Sequence, residues 1–321
     1  MAEFALIELI RERTAVERDD VRLGIGDDAA LVVVPAGAEL VVCTDMMVAG
    51  VHFPEATKPF DVGWKSLAVN LSDLAAMGAT PAWATLGLAM PVADQAWVAA
   101  YADGFAALAR QFGLALVGGD TTRGPLTISV TVHGFVEVGM ALRRDGACVG
   151  DVVCVTGTLG DAAAGLRISL AEQGQSDDES RTLLDRLNRP VPRVDAGLAL
   201  RGCATACIDI SDGLIADLGH ICYRSQVGAE INSAALPSSA QLRGFTGDES
   251  HLSLQLHGGD DYELCFTLPE SSHSEILHRL HSTGIAATVI GRIVKGSGVR
   301  VSDATGRAIA VEKSGWEHFS P

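Results

Sequence analysis

Phe4, Leu6, Ile7 and Ile10 recur with the periodicity of a buried helix face. Next come two apolar runs, Ala29 to Val34 and Leu40 to Cys43, separated by the turn-like PAGAE, and this arrangement predicts a strand pair. Helical spacing returns over Gly63 to Met77 and Asp94 to Phe112. Each stretch leads into a short apolar segment, Ala82 to Met90 and then Leu114 to Val117. In TISVTVHGFVEV, residues 127 to 138, Ile128, Val130 and Val132 alternate with small or polar positions, which predicts a strand.

The polar RRDG turn precedes DVVCVTGTLGDAAAGL, where a fresh strand, a glycine turn and a helix begin. The chain is therefore expected to divide into residues 1–143 and 144–321. AEQGQSDDESRT, poor in apolar residues, is expected to be a surface excursion inside the second domain. From Ile208 onward strands and helices alternate again, so the pattern predicts two α/β domains.

Composition narrows the function classes. With 321 residues, 48% of them hydrophobic, the chain is long enough for two self-sufficient cores. Its 40 acidic residues against 24 basic ones give a formal charge of -16, which argues against a nucleic-acid partner. Seven cysteines without a CxxC pair fit neither a disulfide framework nor a zinc site, and imply a reducing cytoplasm. Charges stand where a signal peptide needs an apolar block, and no apolar stretch is long enough for a membrane span.

The candidate chemistry lies in a repeated device: an apolar run ends and aspartate follows. LVVCTD ends at Asp45, AVNLSD at Asp73, LALVGGD at Asp120, ACIDISD at Asp209 and Asp212, and LQLHGGDD at Asp260 and Asp261. GIGDDAA adds the adjacent pair Asp27 and Asp28. Any one of these aspartates can be a helix cap or a turn residue. Six such loops, if they converge, need cations, and hard oxygen donors select Mg²⁺, Mn²⁺ or Ca²⁺ over zinc. Since Mg²⁺ commonly completes its shell with water and phosphate oxygens, spread-out aspartates predict a phosphate substrate. GGDTTRG, residues 118–124, supports this, because its glycines let backbone amides approach a phosphate. The chain has no GxxxxGK[ST] loop and no HRD and DFG set, so nucleotide chemistry would run on another fold. VTGTLGDAAAGL could be a phosphate loop leading into a helix but reads better as a strand followed by a capped helix, and HRLH, residues 278–281, reads as a solvated helix face.

Taken in order, GIGDDAA, TDMMVAGVHF, NLSDLAAMGA, GGDTTRGP, DISDGL, GGDDYELCF and GWEHF resemble the thiamine-monophosphate kinase family across essentially the whole chain. That family belongs to a superfamily with aminoimidazole ribonucleotide synthetase, selenophosphate synthetase and a hydrogenase maturation factor. The resemblance implies ATP-dependent phosphorylation of thiamine monophosphate to thiamine diphosphate, the last step of thiamine diphosphate biosynthesis. It also implies a mixed α/β fold of α+β type, with an amino-terminal domain dimerising through a shared β-barrel by strands around Leu40 and Ile128. ATP would lie mainly against that domain. By motif, Asp28, Thr44, Asp45, Asp73, Asp120, Asp209 and Asp212 would hold magnesium, and Gly119, Asp120, Arg144 and Ser211 would contact ATP. His52, Asp260 and Trp316 would belong to the thiamine-phosphate pocket.

Three positions depart from the family pattern. Asp260 stands where glutamate is usual, and Cys43 where a hydroxyl residue is common. The family's nucleotide-site tyrosine falls at Ala102, beside Tyr101. No general base is expected, because the acceptor phosphate oxygen is already anionic. Two other readings are a sister synthetase that phosphorylates an amide or carbonyl oxygen, and a non-catalytic metal sensor. GVHF and GWEHF favour the kinase over the first, while GGDTTRG and Arg144 argue against the second.

Overall fold

The computed structural model describes residues 3–171, 177–246, 251–282 and 284–311. Its two units are residues 1–74 with 79–139, and residues 75–78 with 140–321.

In unit 1 the amino-terminal periodicity becomes α1 (Glu3–Thr14), with Leu6 and Ile10 buried. Then follow β1 (Val21–Leu23), β2 (Leu31–Val32), β3 (Ala38–Val48), α2 (Pro59–Ala76), β4 (Thr80–Met90), α3 (Gln95–Gln111), β5 (Ala115–Arg123) and β6 (Thr127–Glu137). Four of the strands form an open sheet in the order β3-β6-β4-β5. β4 and β5 run parallel, joined by α3, and the other pairs are antiparallel.

The expected hairpin around PAGAE does not form. β2 pairs with β1 instead, and β3 pairs along its whole length with the distant β6, Ala38 opposite Glu137 and Val48 opposite Thr127. On β6, Ile128, Val130, Val132, Gly134 and Val136 are buried, and the residues that alternate with them are only half-buried. Helices α2 and α3 approach through a reciprocal pair of glycines. A Cβ on Gly63 would lie 2.0 Å from the Tyr101 carbonyl oxygen, and one on Gly104 would lie 1.9 Å from that of Phe60.

Unit 2 contains β7 (Val152–Thr156), α4 (Asp161–Leu170), α5 (Asp178–Asn188), α6 (Val194–Leu200), β8 (Ala206–Asp209), α7 (Leu214–Ser225) and β9 (Gly228–Asn232). After these come α8 (Ala240–Thr246), α9 (Leu252–His257), β10 (Leu264–Leu268), α10 (His273–Ser282), β11 (Ala287–Val294), β12 (Gly298–Ser302) and β13 (Ala308–Ile309). The seven-stranded sheet has the order β13-β12-β9-β11-β7-β10-β8, and all its pairs are antiparallel except β12 with β9. β7, β8 and β10 are buried at every position, in keeping with their mainly apolar sequences. Part of the polar stretch 171–182 is not an excursion: Asp177 accepts the Ser180 amide at 2.7 Å and caps α5. α5 then packs Leu183 against Ala164 and Ile168 of α4. Among the described residues no sheet closes into a barrel.

Candidate functional site

Two neighbouring aspartates in a turn need distinct roles, and unit 1 gives Asp27 a local one. Its Oδ1 accepts the Asp28 amide at 2.8 Å, while both side chains remain exposed. Further along, Thr44 and Asp45 are consecutive on β3 and so point to opposite faces of the sheet. The Thr44 hydroxyl meets that of Thr131 at 2.8 Å. Asp45 is held through its backbone: its amide donates to Asn70 Oδ1 at 3.0 Å, and Asn70 in turn donates its Nδ2 to the Ser66 carbonyl of α2. Asn70 and Asp73 stand three apart on α2, a spacing that puts them on one helix face. The Cys43 thiol donates to the Asn70 carbonyl at 3.5 Å, so the family departure at this position is absorbed by a contact to the same helix.

Asp120 lies on β5 beside Gly87 of β4. A Cβ on Gly119 would come within 2.0 Å of the Leu86 carbonyl oxygen, so this glycine is required by strand packing as well as by any phosphate. His52 is fixed by its Nδ1, which accepts the Val48 amide at 3.0 Å. A neutral imidazole in that arrangement carries its proton on Nε2. Tyr101 is fully buried, with its hydroxyl 2.9 Å from Ser66 and its ring stacked on Trp97, and Ala102 beside it is also buried.

In unit 2 the RRDG turn divides its arginines. Arg143 pairs with Asp145 at 2.5 Å, while Arg144 is exposed and its carbonyl accepts the Ser225 hydroxyl. Asp209 ends β8, buried and paired with Leu264 of β10. Beyond it, the amides of Ser211, Asp212 and Gly213 all donate to Asp217 Oδ2 at 3.1 Å. Burial, then the charges of Asp209 and Asp212, push the Asp217 carboxyl up to about 8.

The GGDDYEL loop is stitched to this segment, with Asp260 N–H on the Ser211 carbonyl at 2.9 Å and Tyr262 N–H on that of Ile210 at 2.8 Å. Asp260 and Tyr262 both have positive φ, +67° and +49°, a strained backbone that such bonding must hold. The Tyr262 hydroxyl donates to Asp260 Oδ1 at 3.0 Å. Asp261, between them, is buried and accepts the Gly160 amide at the start of α4 at 2.8 Å, so that helix is capped from a distant loop. Its Oδ1 has no hydrogen-bond partner among the described residues, and burial drives its carboxyl well above the usual range. Glu263 is clamped by Arg193, Arg186 and Thr156. His278 and His281 lie exposed on α10. Trp316 lies outside the described residues.

The donor chemistry of the predicted metal set, six aspartates and a threonine, fits a hard cation. Among the described residues no group of three or more His, Cys, Asp or Glu forms a ready-made metal cage. Sequence reasoning missed Asn70 and Asp217, although both stand in or beside quoted motifs. An aspartate in the first turn of a helix after a glycine loop was the available signal for Asp217.

Comparison with known proteins agrees with this set of motifs. Residues 26–136 match the family described as AIR synthase related protein, N-terminal domain, and residues 149–304 match its C-terminal domain. The thiamine-monophosphate kinase of Escherichia coli K12 is 44% identical, the alignment covering 99% of this chain and 98% of that protein. That of Bacillus subtilis 168 is 36% identical over 99% and 100%. Among solved structures, the thiamine-monophosphate kinase of Stenotrophomonas maltophilia K279a superposes with a TM-score of 0.88 at 52% identity, covering 96% of this chain and 98% of that one. "AaThiL complexed with AMPPCP and TMP" gives 0.81 at 36% identity, covering 99% and 97%. Aligned with these kinases over essentially its full length, this chain belongs to the thiamine-monophosphate kinase family.

Proposed function

We propose that the protein transfers the γ-phosphoryl group of ATP to the phosphate of thiamine monophosphate, producing ADP and thiamine diphosphate. The observation that carries this reading is full-length similarity to thiamine-monophosphate kinases, one of them in a complex with AMPPCP and TMP. Asp28, Asp45, Asp73 and Asp120 of unit 1, and Asp209 and Asp212 of unit 2, would hold magnesium. Thr44 would reach an ion on the Asp45 side through its carbonyl, since its hydroxyl is on the opposite face and bonded to Thr131. When bound, magnesium neutralises and aligns the phosphate oxygens.

Protein groups position the reactants. The exposed Arg144 guanidinium suits a phosphate, its neighbour Arg143 being engaged by Asp145. Gly119 and Ser211 would contact ATP through the loops that carry Asp120 and Asp209. The His52 Nε2–H is a donor suited to an anionic substrate, and with an anionic acceptor oxygen no residue need remove a proton. Asp260 would act on substrate in the orientation set by Tyr262, and Trp316 would offer a ring face to the cationic thiazolium.

Residues 1–143 are read as the ATP-binding and dimer-forming domain, and residues 144–321 as the second domain. A homodimer that closes a shared barrel is supported by the open sheet and by Leu40, Val42 and Met46 of β3, which are 43%, 52% and 57% exposed. None of the seven cysteines is disulfide-bonded, and no helix among the described residues is long and apolar enough to cross a membrane. A cytoplasmic location agrees with both observations. The test is incubation with ATP and magnesium, using thiamine monophosphate or free thiamine as acceptor, with products identified by mass. Thiamine diphosphate and ADP, from the monophosphate only, are expected; tight Mg-ATP binding without that product would remove the thiamine assignment.

A further inference from the structure

Asp217 has no role among the groups assigned above to metal, nucleotide or substrate, yet its contacts are unusually concentrated. Its side chain is nearly inaccessible, 2% exposed, and its Oδ2 lies 3.1 Å from three successive backbone nitrogens, those of Ser211, Asp212 and Gly213. Successive amides aimed at one point form a nest of the kind that binds anions. Here the nest is filled by a carboxyl oxygen of the chain itself.

The loop is fixed from its other side as well. Gly213 has φ +113°, and a Cβ there would lie 2.9 Å from the His257 backbone. Ser211 also gives its carbonyl to Asp260. The acidic groups whose charges reach Asp217 are Asp209 and Asp212. Without Asp217, three adjacent amides would be left to recruit the nearest carboxylates, and buried donors do not stay unpaired cheaply.

We propose that Asp217 is a positioning residue for the Asp209–Asp212 segment: by gathering the three loop amides it sets the direction of both aspartates before any cation arrives. This inference rests on the reading of Asp209 and Asp212 as magnesium ligands. Groups that orient metal ligands typically change metal affinity by about 10- to 100-fold when removed.

The experiment uses the full chain and two readouts. One is amide hydrogen exchange without metal or nucleotide. The other is Mn²⁺ binding, followed by the electron paramagnetic resonance of free Mn²⁺, with a non-hydrolysable ATP analogue present. Asp217→Leu is expected to speed exchange at residues 211–213, leave β7 and β10 protected, and weaken Mn²⁺ binding at least about tenfold. Asp217→Asn, which keeps an acceptor oxygen, is expected to recover both. Unchanged exchange at 211–213 or unchanged Mn²⁺ affinity in Asp217→Leu overturns the inference.

If Asp217→Leu also loses protection in β7 and β10, Asp217→Glu takes its place, since it keeps the carboxyl group and moves the oxygen by a methylene. Weakened Mn²⁺ binding with β7 and β10 intact then supports the inference, and wild-type affinity overturns it. Asp209→Asn separates the two layers of the argument. If it leaves Mn²⁺ affinity unchanged, the ligand reading fails; if it weakens binding while the Asp217 variants do not, only the positioning role fails.

Discussion

Replacing Glu263 by Gln removes one charge from the buried ion cluster of unit 2. Glu263 is fully buried, and its two oxygens receive the Thr156 hydroxyl at 2.6 Å, Arg186 at 2.7 Å, and Arg193 twice at 2.6 Å. Breaking a buried pair by removing one partner costs about 3 to 5 kcal/mol. Glutamine keeps the shape and one acceptor, and both arginine side chains retain 22% exposure, so the lower end, about 3 kcal/mol, is expected. That is a fall of roughly 150-fold in the folding constant. For a urea slope of about 2 kcal/mol/M it moves the midpoint down by about 1.5 M.

Far-UV circular dichroism is the suitable probe, because Trp64, Trp83 and Trp97 all lie in unit 1 and would dominate the fluorescence. The pH dependence has a definite sign. Burial alone would raise the Glu263 carboxyl, but Arg193 and Arg186 outweigh it and hold the group below its ordinary value of 4.5. Its contribution is therefore complete above that value and lost as pH falls through the lower folded one, so wild type and Glu263→Gln should converge in acid. A midpoint shift under about 0.3 M at neutral pH, with the slope unchanged, would refute the claim that loss of the Glu263 charge leaves buried charge uncompensated.

Gly104→Ala, whose Cβ would meet the Phe60 carbonyl oxygen, should cost about 3 kcal/mol or more, seen as a lower melting temperature. Gly219→Ala, with nothing within 4 Å in the interior of α7, should stabilise by about 0.5 to 1 kcal/mol, and a loss there would contradict the packing argument. Asp261→Asn should gain stability relative to wild type as pH rises. The raised carboxyl holds its proton in the folded state, a burden that grows above the ordinary value of 3.8, and pH-independent melting differences would refute this. Asn70→Ala should raise the magnesium concentration for half-maximal activity about tenfold with little change in kcat at saturation, and an unchanged requirement would deny Asn70 its hold on Asp45.

Local periodicity was enough to read the long helices, because the stripes of α2 and α3 repeat over many turns. Partner choice was not readable in the same way. PAGAE carries genuine turn residues, but β3 finds its partner in β6, and no local pattern can encode a register between Ala38 and Glu137. At Asp177 and Asp178 polarity signalled a loop where the physics was a capped helix start. The acidic motifs were visible as strings, whereas what orients them was not: Asn70 beneath Asp45 and Asp217 beneath Asp212 act through backbone amides, which leave no mark on composition. The Glu263 clamp joins residues 70 and 77 positions apart and emerges only once β10 and α5 are folded together.

The central claim, direct phosphoryl transfer to a phosphate acceptor, is tested most directly by turnover with ATP labelled in its γ-phosphoryl group and unlabelled thiamine monophosphate. The label is expected in the terminal phosphate of thiamine diphosphate, with unlabelled ADP formed in equal amount. Label released as inorganic phosphate, with thiamine monophosphate unconsumed, would contradict the account.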